Sequence, residues 1–131
     1  MKIASYSLLT KLAGQELPQN EIIELAMKNP SAGVLGMIFF ATVIGAPLME
    51  EFIFRGTIYP GLKSVIGGPA AALSSSIVFA LLHPMLDCAT IFVLGLLLVY
   101  VYERTGTLWA SIALHATNNF ITTILVLSMV L

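Results

Sequence analysis

The sequence predicts an all-α protein: a polytopic membrane helical bundle of about four transmembrane helices, with a short N-terminal amphipathic helix. Three observations predict it. Hydrophobic residues make up 58 % of the 131 and charged residues only 10 %, whereas soluble domains average about 45–50 % and 25 %. Mean hydropathy is +0.95, so a soluble fold of this size would lack the polar surface to cover itself. The apolar residues fall in long uncharged runs separated by short polar breaks, as successive spans require.

Composition also excludes some functions. A net charge of −1 gives no basic surface for nucleic acid. Cys88 is the single cysteine, so an internal disulfide framework is excluded and a cysteine-based metal site is not expected. The first apolar patch, Ile3 to Leu12, is interrupted by Ser5, Ser7, Thr10 and Lys11 and does not read as a secretory signal.

The chain divides into a polar, amphipathic segment over residues 1–31 and a membrane core over residues 32–131. In the first, Asn20 is a candidate cap for a short helix that Pro30 ends soon after Lys28. The first span starts after Pro30, with no charge before Glu50. Its apolar character continues through Phe52, Ile53, Phe54, Ile58, Tyr59 and Leu62, so one long helix over about Ala32 to Leu62 is expected, tilted or kinked at Pro47. Gly67-Gly68-Pro69 breaks it. Pro69 to Met85 is the second uncharged run, carrying Ser74-Ser75-Ser76 and, near its end, His83. Asp87 marks a loop, and Cys88 to Tyr102 is the third run. Glu103-Arg104-Thr105-Gly106 reads as a polar turn, and Thr107 to Leu131 as the fourth span, anchored at the interface by Trp109.

Against this background one stretch stands out: Ala46-Pro47-Leu48-Met49-Glu50-Glu51-Phe52-Ile53-Phe54-Arg55-Gly56. Ionisable groups are costly inside a bilayer and mark functional sites there. Counting inward at 1.5 Å per residue, Glu50 lies roughly 18 Å deep in a long first helix, His83 roughly 21 Å, His115 roughly 12 Å and Asn119 roughly 18 Å. The four therefore share a level. Glu51 and Arg55 are i,i+4 and pair, as a structural rather than a catalytic unit, while Glu50 points about 100° away. His115 and Asn119 also share a face. Asn118 does not share it, and Phe79 reads as packing.

A glutamate, two histidines and an asparagine around a wet cavity suit hydrolysis. Glu50 and His83 would hold and deprotonate a water, and His115 with Asn119 would stabilise an oxyanion. No metal is required by this reading. Zinc on Glu50, His83 and His115 is a chemical alternative, although no His-Glu-x-x-His signature is present.

The motifs Glu50-Glu51-x-x-x-Arg55, Phe79-x-x-x-His83 and His115-x-x-x-Asn119 occur in that order. Together with their surroundings, such as Ser75-Ser76-x-x-Phe79-Ala80-Leu81-Leu82-His83, they resemble the CPBP family over about Val34 to Leu127. That family comprises the type II CAAX prenyl proteases and the bacterial Abi, or bacteriocin-immunity-like, proteins. The resemblance implies an all-helical intramembrane endopeptidase in a bacterial or archaeal cell membrane, acting on peptide or membrane-protein substrates. It implies that Glu50 and His83 activate water, that His115 and Asn119 complete the site, and that Glu51 and Arg55 shape it. It also implies a glutamate-based reaction without a required metal. Relatives carry more spans before the first motif, so a minimal member or a fragment is expected, with a homo-oligomer or missing N-terminal helices as partners. The alternatives are a non-enzymatic bacteriocin self-immunity protein and a proton-coupled transport subunit.

Overall fold

A computed structural model describes Lys28 and residues 31–130. The expected amphipathic helix over the first thirty residues lies outside the described residues. Over residues 31–130 the described chain forms four helices joined by short turns, with no strand among the described residues.

Helix α1 runs continuously over Ala32–Ile66. The Ser31 hydroxyl opens it by accepting from the Val34 amide, an ordinary N-cap. It passes two prolines, Pro47 and Pro60, without breaking. Immediately before each proline one turn widens to the π form, at Ala41–Gly45 and at Phe54–Ile58. A proline inside an α-helix loses a hydrogen bond and clashes with the carbonyl four residues back. A widened turn moves that carbonyl away. The expected kink at Pro47 is thus a π-turn, and Pro60, which the sequence reading did not use, has one as well.

Gly67 ends α1 at φ 82°, a conformation open to glycine, and α2 begins at once over Gly68–Leu81 with Pro69 in its first turn. A short 3₁₀ turn, Met85–Asp87, leads into α3, Cys88–Thr105. The expected polar turn at Glu103 is in fact the last turn of α3. Gly106 closes that helix in the left-handed region, and α4 follows over Leu108–Val130.

Helices α1, α3 and α4 are long and apolar enough to cross a membrane. Helix α2, at 14 residues, spans only about 21 Å. His83 consequently lies beyond its end rather than inside it, a correction to the second run as read from sequence. Helix α2 packs on α3 and on the end of α1, and α4 packs on α3 and on the middle of α1.

The distribution of side chains is that of a membrane protein. Glu51, Arg55, Ser75, Ser76, Ser111 and His115 are buried, while Met37, Phe40, Phe52, Val65, Leu81 and Met85 are exposed. Two apolar clusters tie the helices together. Phe54, Phe79 and Leu98 form one, and Tyr59, Ala71 and Val99 the other. Where α2 crosses α3, Gly95 lets the Ser76 side chain approach closely; a Cβ there would lie 3.0 Å from that of Ser76.

Candidate active site

Glu50 and Glu51 sit on the α1 segment between the two π-turns, consecutive and so about 100° apart around the axis. Glu51 turns into the bundle and is fully buried. Its Oε1 accepts from Arg55 Nη1 at 2.9 Å and from His115 Nδ1 at 2.9 Å. Arg55 Nη2 reaches across to donate to the Gly95 carbonyl of α3, also at 2.9 Å, and the guanidinium lies over the Phe79 ring, 4.7 Å from its centroid. A buried charge needs such partners, since an uncompensated one costs several kcal/mol. Here the pair does more than neutralise itself, because Glu51 also holds a histidine from α4.

That contact sets the chemistry of His115. A carboxylate accepts, so Nδ1 carries the hydrogen and Nε2 is turned outward. Nε2 lies 3.6 Å from Glu50 Oε2. His83 is oriented in the same sense by a different partner. Its Nδ1 donates to the Phe79 carbonyl at 2.7 Å, leaving Nε2 3.9 Å from the same Glu50 oxygen. Phe79 forms the wall between the two imidazoles, with ring centroids 4.8 Å from His83 and 5.8 Å from His115. Three elements therefore aim two ring nitrogens at one carboxylate oxygen. Glu50 Oε2 is itself buried and has no hydrogen-bond partner, although the Glu50 and His83 side chains keep 30 % and 26 % of their exposure. An orphaned buried acceptor calls for a water or a ligand group.

Of the residues expected at the site, Glu50, His83 and His115 are brought together, and Glu51 and Arg55 support them. Asn119 makes a different contact: its Nδ2 donates to the Thr42 carbonyl at 2.9 Å, and its Oδ1 accepts from Asn118 at 3.4 Å. The sequence reading missed the part played by Phe79, whose ring and carbonyl order both histidines. The four-residue step from Phe79 to His83 was the available signal. No group of three or more His, Cys, Asp or Glu side chains among the described residues is arranged to hold a metal. Cys88 donates to the Ala80 carbonyl at 3.3 Å, as a packed thiol rather than a nucleophile.

The family model for type II CAAX prenyl endopeptidase Rce1-like proteins matches residues 32–121, the helices that build this cluster. The chain belongs to that family. It is 31 % identical to the membrane-embedded CAAX protease MroQ of Staphylococcus aureus (strain USA300) over 126 residues, which is 89 % of this chain and 49 % of that protein. It is also 31 % identical to the putative membrane peptidase YdiL of Bacillus subtilis (strain 168) over 84 residues, 63 % of this chain and 34 % of that one. The chain thus spans half or less of the length of these relatives. No solved structure matches it. The family and the apolar helices together make this an integral, multi-pass membrane protein.

Proposed function

We propose that the chain is the catalytic core of an intramembrane endopeptidase whose nucleophile is a water held by Glu50 and His83. The observation that carries the proposal is the unpartnered Glu50 Oε2 facing two Nε2 atoms. Both acceptors would take hydrogens from one water, and Glu50 would remove a proton as the water oxygen attacks a peptide carbonyl. His115, when its Nε2 also carries a hydrogen, donates into the same space and would stabilise the oxyanion. Collapse breaks the C–N bond, and the departing amine takes the proton from Glu50. The relatives named as CAAX protease and membrane peptidase point to a peptide of a membrane-bound or lipidated protein as substrate.

The test uses the full chain reconstituted in nanodiscs with a quenched fluorescent lipidated peptide. Wild type cleaves it, and Glu50→Gln lowers turnover by about 10²–10⁴-fold, the usual worth of a general base. Undiminished cleavage by Glu50→Gln removes the mechanism. Bacteriocin protection that survives the same substitution would favour a non-enzymatic immunity protein.

A further inference from the structure

Between Ala41 and Gly45 helix α1 is in the π register, and the Ala46 amide donates to the Ala41 carbonyl five residues back. The next donor in that register would be the amide of residue 47, paired with the Thr42 carbonyl. Residue 47 is proline and has no N–H. The Thr42 carbonyl is therefore stripped of its helical donor in a low-dielectric setting, where an unpaired carbonyl is costly. It is this carbonyl that Asn119 Nδ2 meets at 2.9 Å. One turn further along α4, the Thr123 hydroxyl lies 3.3 Å from that of Thr42. Helix α4 is thus docked on the defect in α1.

The defect bears directly on the orientation of Glu50. A π-turn inserts one residue into a helical turn and shifts the phase of the helix beyond it by roughly 100°. Glu50 lies three residues after Pro47, so the register of this turn decides whether Glu50 or a neighbour faces the histidines. We propose that Asn119 is a positioning residue: its side-chain amide caps the Thr42 carbonyl that Pro47 releases, and so locks the rotation of the Glu50-bearing turn against α4. The competing role, a donor to the oxyanion of the substrate, would make Asn119 indifferent to which residue stands at position 47. The activity arm of the test rests on the peptidase reading above; the stability arm does not.

The experiment is a double-mutant cycle with Asn119→Ala and Pro47→Ala, the second restoring a backbone N–H to α1. In the wild-type background, Asn119→Ala lowers kcat by about 10²-fold, the cost of misplacing a reacting group by about 1 Å, with little change in KM. In the Pro47→Ala background the same truncation costs roughly 3-fold or less, because the two sites are coupled through one carbonyl. Melting of the reconstituted protein follows the same pattern, with Tm falling by about 4–8 °C in the first background and by much less in the second. Equal losses in both backgrounds overturn the proposal. If Pro47→Ala is inactive or fails to fold, Pro47→Ser supplies the same N–H and the melting cycle is read on it. If wild type cleaves nothing, the peptidase reading falls while the melting cycle still decides the role of Asn119.

Discussion

Glu50 and Glu51 are adjacent in the chain and differ in environment, and on the proposed mechanism this separates catalysis from stability at the level of single atoms. Both oxygens of a buried carboxylate want donors. Glu51 Oε1 has two, from Arg55 and His115, while Glu51 Oε2 and Glu50 Oε2 have none; what sets Glu50 apart is that its oxygen faces two Nε2 atoms on a side chain still 30 % exposed. Replacing Glu51 by Gln leaves the Arg55 guanidinium buried without its counter-charge, a loss of about 3–5 kcal/mol. Glu51→Gln is thus expected to lower the melting temperature sharply, while Glu50→Gln melts like wild type and fails only in cleavage. Equal melting of the two variants would mean that the ion pair is not what holds α4 to α1. Metal dependence is decided by the same atoms. If Glu50 Oε2 and the Nε2 atoms gather on a water as proposed, stripping divalent cations with a chelator is expected to leave cleavage unchanged. Loss of activity that zinc alone restores would replace the water-only scheme with a metal-bound one.

At the level of elements, much was legible in the sequence. The uncharged run from Ala32 and the apolar residues after Glu50 predicted one long helix carrying both glutamates, and α1 is that helix. The i,i+4 pairing of Glu51 with Arg55 followed from helical geometry alone. Three features were hidden for physical reasons. Position 83 was read as helical, yet it precedes Pro84, and a residue before proline is pushed out of the α region. The π-turns were not visible because proline announces a lost donor without saying how the helix accommodates it. The partner of Asn119 was hidden in consequence, since the Thr42 carbonyl is freed only in that register. The α2–α3 crossing gives a test at this scale. The Cβ of Gly95→Ala would meet Cβ, Oγ and Cα of Ser76 at 3.0–3.3 Å, and relieving it moves the Gly95 carbonyl away from Arg55. A loss of about 1–3 kcal/mol is expected, measured by thermal unfolding, with a fall in cleavage alongside it. A Gly95→Ala protein as stable and active as wild type would show that the crossing has slack.

On the proposed peptidase reading the molecule has to bring water to a peptide bond inside lipid, and its shortest helix offers a route. The bilayer core is about 30 Å thick and α2 covers about 21 Å of it. The Lys63–Glu103 ion pair, at 2.6 Å, holds the α1–α2 and α3–α4 turns together at one end of the bundle. The α2–α3 connection, Leu82 to Asp87, is therefore expected to fall short of the opposite surface. Irregular backbone at membrane depth persists only where protein buries it or water lines it. Asp87 is exposed and a carboxylate is costly in hydrocarbon, so water is the expected lining of this connection, which also carries the half-buried His83. Single cysteines placed in a Cys88→Ser background test this arrangement in sealed vesicles. A membrane-impermeant maleimide should reach Ser64→Cys and Arg104→Cys from one side and Asp87→Cys from the other, if an inlet leads from there to the proposed catalytic water. If Asp87→Cys resists the reagent from both sides and reacts only after denaturation, lipid or protein seals the connection. The route by which a nucleophilic water reaches Glu50 would then have to lie elsewhere in the bundle.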